Sequence, residues 1–168
     1  MLDPALVARA QAWRDADPDP ATATALGLLL GKAQDGDPDA AAELADAFDG
    51  RLTFGTAGLR AALGPGPNRM NRVVVQQAAA GLARWLIAQG HGGERVVIGH
   101  DARYNSDVFA LDTAEILGGY GLVPLLTETF VPTPVVAFGI RHLGCVAGVV
   151  VTASHNPPQD NGYKVYVG

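Results

Sequence analysis

The spacing of apolar positions changes near residue 50 of this chain. Between residues 4 and 48 apolar residues recur at helical intervals. Leu6, Ala10 and Trp13 share a face, and a Leu-rich turn runs from Thr24 to Lys32. Asp-Pro pairs at 3–4, 17–18, 19–20 and 37–38 punctuate this stretch as helix starts and breaks, so it predicts two or three short helices. From residue 51 the pattern shifts to short apolar runs alternating with amphipathic ones. Arg51–Arg60 is rich in Gly and Thr and ends in a short strand, and two glycines with two prolines make Gly64–Asn68 a loop. Asn71 is placed to cap a helix to about Gln89, with Val74, Ala78, Leu82, Trp85 and Leu86 on one face. Arg95–Gly99 and Leu122–Leu126 read as strands. A helix from Ser106 to about Leu117, closed by Gly118-Gly119, lies between them. Pro132-Thr133-Pro134 opens a short helix to His142, Cys145–Val151 is a third buried strand, and Tyr163–Val167 follows a polar loop as the last.

Apolar strands alternating with helices predict a layered α/β/α domain with a mixed sheet over residues 51–168, preceded by a helical leader over residues 1–50. The length, 168 residues, suits one such unit. No apolar run reaches the ~18 residues of a membrane span, and the N-terminus lacks the basic-then-apolar pattern of a signal peptide. The one cysteine, Cys145, sits in an apolar run and reads as a core residue. A cytoplasmic protein that binds neither membrane nor nucleic acid is therefore expected. The formal charge of −5 supports the latter. Ten of the acidic side chains fall in residues 1–50. The rest of the chain is slightly basic, with Arg51, Arg60, Arg69, Arg72, Arg103 and Lys164 near its Gly-rich loops, which suits an anionic substrate as well as an ordinary surface.

The chemistry-bearing segment is Thr152-Ala153-Ser154-His155-Asn156-Pro157-Pro158, followed by Asn161-Gly162-Tyr163-Lys164. It directly follows a buried strand, and the carboxyl end of such a strand is where layered α/β folds bind ligands. Ser154 is a candidate nucleophile, His155 and Lys164 are candidate cations or proton carriers, and Gly162 permits close backbone approach. Generic chemistry stops there, because a Ser-His pair in a loop also serves structural ends.

The string T-A-S-H-N-P, then N-G-Y-K, resembles the phosphoserine loop of the α-D-phosphohexomutase family, the phosphoglucomutases and phosphomannomutases. Phe54-Gly55-Thr56-Ala57-Gly58-Leu59-Arg60, with Asn68-Arg69-Met70-Asn71 downstream, is similar to the family's N-terminal signature in its phosphoglucomutase/phosphopentomutase branch. Gly99-His100-Asp101-Ala102-Arg103 followed by Ser106 resembles the family's D-x-R element. The order and spacing agree over residues 51 to 168, while residues 1–50 resemble only a variable leader. One departure is Ala61, where the family usually has Gly, a strained choice if that position needs a positive φ.

The resemblance implies a phosphosugar mutase. Phosphorylated Ser154 gives its phosphoryl group to a sugar monophosphate and takes the other one back from the bisphosphorylated intermediate. Lys164 is then the general base or acid for the sugar hydroxyl, and Arg60 stabilises the transferring charge. His155 orients the phosphoserine or bonds the substrate. Thr152, Asn156 and Arg103 are expected around the phosphate and substrate. Asn156 also reads as a brace of the loop, and Arg103 as an ion-pair partner of Asp101 or Asp107. A Ser154 phosphate oxygen would be one Mg²⁺ ligand, the other ligands lying outside this chain, and a sugar bisphosphate would serve as activator. Asp37 and Asp39 read as helix-start residues rather than metal ligands. His91, His100 and His142 receive no role. The family has four domains, so the C-terminal domains that choose the sugar are expected elsewhere, and the chain reads as truncated after Gly168. Glucose, mannose and pentose phosphates stay open. A non-catalytic phosphate-binding module or a regulatory mutase-like protein are the other readings. The absence of G-x-G-x-x-G and of G-x-x-x-x-G-K-[ST] counts against the former, and the intact Ser154, His155 and Lys164 count against the latter.

Overall fold

The computed structural model describes residues 2–56 and 58–167. Three helices come first: α1 (Pro4–Ala16), α2 (Pro20–Gln34) and α3 (Pro38–Ala47). Each starts the same way. Asp3, Asp19 or Asp37 accepts a backbone N–H of the first turn, and the proline after it occupies a position whose N–H would have no partner. Asp37 and Asp39 are thus helix-start residues, as expected. The fourth Asp-Pro pair, at 17–18, links α1 to α2, and Asp17 accepts the Asp19 N–H at 2.9 Å.

The remaining elements are β1 (Leu59–Ala62), α4 (Arg72–Ala88), β2 (Arg95–His100), α5 (Ser106–Gly119), β3 (Val123–Leu126), α6 (Thr133–His142), β4 (Ala147–Val151) and β5 (Asp160–Val167). They build one mixed sheet in the order β1-β5-β4-β2-β3. Strands β4, β2 and β3 are parallel, and β5 runs antiparallel to both β4 and β1. The chain moves outward from β2 to β3 through α5, then back across β2 to β4 through α6. Crossovers of one hand in opposite directions put their helices on opposite faces. Accordingly α4 and α5 pack with Val149, Val151 and Tyr163 on one face, while Val136 and Ile140 of α6 pack with Val97 and Val150 on the other. This is the expected α/β/α layering with a mixed sheet. Cys145 is buried at the edge of the second cluster. No helix among the described residues is long and apolar enough to cross a membrane.

Several expected details move. The buried stripe of α4 is Val74, Val75, Ala79, Ala83 and Leu86; Trp85 is 47% exposed, and Ala78 and Leu82 are only half-buried. Small residues on that stripe, facing Ala110 and Ala114 of α5 in the same core, let the two helices lie close, which rotates Trp85 outward. Gly118 and Gly119 belong to α5, whose end is Tyr120 followed by Gly121 at φ +86. β5 begins at Asp160, three residues ahead of Tyr163, because β1 is available to pair with it. Ala61 sits in β1 opposite Asn161 and is not among the residues of positive φ, so it carries no backbone strain.

The three leader helices share a cluster of their own, and Trp13 packs on both this cluster and the main core. The Gly64–Asn68 loop holds the two together. Asn68 donates to the Asp46 and Ala47 carbonyls at 3.0 and 3.1 Å, and Arg69 pairs with Asp46. Gly66, at φ +100, passes so near Ala47 that a Cβ would lie 2.6 Å from its carbonyl oxygen.

Burial pushes the Asp17 carboxyl above its ordinary range, and its second oxygen has no partner. A carboxyl raised in the folded state favours folding below its unfolded pKa, and that contribution is lost as pH rises through the folded value. Asp17→Asn should therefore stabilise the protein near pH 7 by under about 1 kcal/mol, solvent screening keeping the effect small, and not at pH 3. Urea melts at the two pH values read this, and equal gains at both would refute it. For Gly162 in β5, a Cβ would sit 2.6 Å from the Thr152 oxygen and 2.8 Å from that of Leu59. Gly162→Ala should cost about 1–3 kcal/mol. Gly81→Ala, in an α4 position with nothing within 4 Å, should be neutral or stabilising. A Gly162→Ala melt superimposing on the parent would contradict the close approach of β1, β5 and the Thr152 backbone.

Candidate functional site

The loop after β4 leaves the sheet at its carboxyl edge, beside the loop after β2. Thr152 and Ala153 are still buried, and Ser154 and His155 are exposed at the crest. The turn is built locally. The Thr152 Oγ1 accepts the Ser154 N–H at 3.0 Å, and the Ala153 carbonyl accepts that of Asn156 at 3.1 Å. Ser154 itself stands at φ +59, a left-handed backbone that costs a residue with a Cβ about 1 kcal/mol or more. Its Oγ lies 3.5 Å from the His155 Nδ1, the outer limit of a hydrogen bond.

Arg103 holds this turn from the side. Its Nη2 donates to the Ser154 and Asn156 carbonyls at 3.0 and 2.8 Å, and its Nη1 to those of Pro157 and Asp160 at 2.7 and 3.1 Å. Its Nε faces Asp101 Oδ2 at 3.2 Å. A guanidinium has five N–H donors in a planar fork, and here five oxygens meet them. The sequence left Arg103 between the loop, the phosphate and an ion pair. The structure places it on the loop and on Asp101 together.

Arg60 approaches from β1. Its Nη1 donates to Asn156 Oδ1 at 2.8 Å, and the Asn156 amide donates in turn to Asp160 Oδ2 at 2.7 Å. Arg60 stands opposite Gly162 in the β1–β5 register, and Lys164 is two residues further along β5, opposite Val150. Side chains of directly paired residues share a face, as do alternate residues of a strand. Arg60 and Lys164 therefore project from one face of the sheet, the face of Val150 and α6. Gly58, at φ +90, brings the preceding turn against β5; a Cβ there would lie 2.3 Å from the Tyr163 oxygen and 3.1 Å from the Lys164 Cα. Of the expected site residues, Ser154, His155, Thr152, Asn156, Arg103 and Arg60 are joined by hydrogen bonds, and Lys164 shares their sheet edge.

Among the described residues no carboxylate pairs with Arg60, Lys164 or His155. The two carboxylates nearby are engaged: Asp101 with Arg103 and Ser106, and Asp160 with Asn156. At this end of the sheet Arg60, Arg103 and Lys164 thus outnumber Asp101 and Asp160, and the exposed Ser154 hydroxyl stands on the loop above them, an arrangement suited to an oxyanion. No three His, Cys, Asp or Glu side chains converge on a possible metal position among the described residues. A concavity of about 780 Å³ lies elsewhere, among Leu2, Val7, Ala33 and Pro38 of the leader. It is lined chiefly by small and apolar groups and contains none of the groups described above.

The sequence reading did not single out Asp160, Ser106 or Asn161 as parts of the site. Asn161 opens the N-G-Y-K string and Ser106 closes the D-x-R element, so both lay inside a recognised motif, while Asp160 fell between the two quoted strings. Their partners are far away in sequence: Asn161 reaches Ser106 across 55 residues.

The family model described as "Phosphoglucomutase/phosphomannomutase, alpha/beta/alpha domain I" matches residues 51–168. A Haemophilus influenzae protein named "Probable phosphomannomutase" is 58% identical over 100 residues, covering 59% of this chain and 20% of its own length. A Staphylococcus aureus phosphoglucomutase is 42% identical over 124 residues, 74% of this chain and 22% of that protein. The crystal structure of a Thermus thermophilus protein assigned as a phosphomannomutase superposes with a TM-score of 0.64 at 36% identity, covering 70% of this chain and 26% of the other. The chain thus spans about a fifth to a quarter of the length of the relatives it matches. With this sheet, this loop and this match, the chain belongs to the phosphoglucomutase/phosphomannomutase family, with residues 51–168 corresponding to its α/β/α domain I.

Proposed function

We propose that this chain supplies the phosphoserine of a phosphosugar mutase, with Ser154 as the residue that carries the phosphoryl group. The observation that carries the reading is the placement of the Ser154 hydroxyl. It is exposed, held at a left-handed backbone by the Arg103 clamp, and carried on a turn whose Asn156 side chain is bonded by Arg60, a cation with no carboxylate partner among the described residues. Phosphoryl transfer depends chiefly on positioning and on stabilising charge, and both are provided here.

In the forward step the bond from phosphorus to Ser154 Oγ breaks as a hydroxyl of the sugar monophosphate bonds to phosphorus. Lys164, as the neutral amine, takes the proton of that hydroxyl, and Ser154 is left as the alkoxide. The bisphosphorylated sugar turns over, Ser154 attacks its other phosphoryl group, and Lys164 returns a proton to the sugar oxygen. Arg60 holds Asn156 and adds positive charge beside the transferring group. His155, within 3.5 Å of the Ser154 oxygen, orients it. Thr152 and Asn156 shape the turn, and Arg103 keeps its carbonyls pointing away from the incoming anion.

The residues present fit a divalent cation only through the phosphoryl oxygens of Ser154, because the neighbouring carboxylates are engaged within the loop. When bound, Mg²⁺ would neutralise charge on the phosphoryl group, its other ligands coming from outside the chain. Residues 1–50 are proposed as a leader and residues 51–168 as the phosphoserine domain. The partners are the phosphosugar, a sugar bisphosphate activator and the further domains that complete the enzyme, in the cytoplasm. Sugar choice among glucose, mannose and pentose phosphates would lie with those domains.

In the full-length protein, Ser154→Ala should lower turnover of a hexose 1-phosphate by at least about 10³-fold while leaving the circular dichroism unchanged. Phosphate should be found on the Ser154 peptide of protein taken from cells; turnover within a few-fold of wild type would sink the assignment. Arg103→Lys keeps the charge but loses the fork, and should lower turnover by about 10- to 100-fold. Amides 154–160 should then exchange faster with deuterium while those of α4 do not. Unchanged loop exchange would show that the clamp does not hold the turn.

A further inference from the structure

Arg103 can hold the loop only if its own guanidinium is held. Asp101 does this through Oδ2, which faces Arg103 Nε at 3.2 Å, while its Oδ1 accepts the Arg103 backbone N–H at 3.0 Å and ties the two residues together. The Asp101 carboxylate is in turn oriented by the Ser106 hydroxyl, which donates to Oδ1 at 2.7 Å. That hydroxyl's single proton is then committed, so it can only accept from elsewhere, and it accepts from Asn161 Nδ2 at 3.0 Å. The second N–H of Asn161 goes to the Tyr104 carbonyl at 3.0 Å, and Asn161 Oδ1 takes the Gly162 N–H at 2.7 Å. Ser106 and Asn161 are both 0% exposed. Water is therefore not available to replace a missing bond, and each bond in the series has one direction. The series also ends on the strand that matters. Gly162 pairs with Arg60, and Lys164 follows two residues later.

Resting on the reading of Ser154 as phosphoserine, we infer that Ser106 and Asn161 are positioning residues of the phosphoryl-transfer site. Neither side chain hydrogen-bonds to Ser154, His155, Arg60 or Lys164. Ser106 acts through Asp101 and Arg103 on the Ser154 carbonyl, and Asn161 acts through Gly162 on β5. Their bonds fix the serine loop against the strand that bears Lys164, so donor oxygen and proton carrier keep one separation through both half-reactions. A small misplacement at such a site costs as much as a lost contact.

The test uses the full-length enzyme and a hexose 1-phosphate with bisphosphate activator. Ser106→Ala should lower kcat by about 10-fold with KM within two-fold, since no substrate contact is removed. Its effect should vanish in the Arg103→Lys background, because a residue that works through Arg103 has nothing left to orient once the fork is gone. A purely structural Ser106 would instead add its loss to that of Arg103→Lys. Should Ser106→Ala fail to fold by circular dichroism, Asp101→Asn, which keeps the shape and removes the charge facing Arg103, is read by the same cycle. Wild-type kcat in these variants, or additive losses, would overturn the inference. Ser154→Ala measured alongside separates the two readings. If it is inactive while Ser106→Ala turns over normally, only the positioning role fails; if it stays active, the phosphoserine reading fails first.

Discussion

The guanidinium of Arg103 is the contact on which the rest of the serine loop depends. Between Thr152 and Gln159 the chain has no strand or helix to satisfy its carbonyls, yet three of them, with that of Asp160 at the start of β5, turn toward one point. Carbonyl oxygens repel one another, and only a cation with several donors in a fixed plane draws them together. Hydrogen bonds to a charged group contribute about 1.5–3 kcal/mol each. Two or three of them exceed the cost of about 1–2 kcal/mol of holding Ser154 in a left-handed backbone. Strain at the serine and the clamp beneath it are therefore two aspects of one arrangement.

This division of labour separates the cations by task. Arg103 faces inward and is saturated by oxygens of the protein. Arg60 is bonded to a neutral amide and keeps its charge uncompensated among the described residues. Lys164 stands on the same sheet face, on a strand whose approach to β1 requires glycine at 58 and 162. The distinction matters because a residue of the right type near a phosphate site need not touch the phosphate. What decides it is whether its donors are already taken.

Domain I contributes about a fifth to a quarter of the length of the family members matched here. Its share of the chemistry is correspondingly specific. It presents a hydroxyl, cations and a rigid turn, but among its described residues no set of carboxylates gathers for a metal. The leader is a separate small core latched on by the Gly64–Asn68 loop and by Trp13, which packs on both clusters. Part of its acidic surplus is local: Asp3, Asp19 and Asp37 are consumed in starting helices.

Local physics made much of the molecule legible from sequence. Asp-Pro pairs start helices because the side chain and the missing N–H act within one turn. Asn71 caps α4 for the same reason, and β2 and β4 announce themselves by unbroken apolar runs. The string around Ser154 marked the loop, and Ala61 looked anomalous only until its strand conformation was seen. Tertiary structure decided what depends on distant partners. Which face of α4 is buried was set by the small residues of α5 against it, so Trp85 turned outward despite a plausible periodicity. The start of β5 was set by β1, almost a hundred residues earlier in the chain. The role of Arg103 was set by four carbonyls about fifty residues away, and backbone oxygens carry no residue type by which a sequence could reveal them.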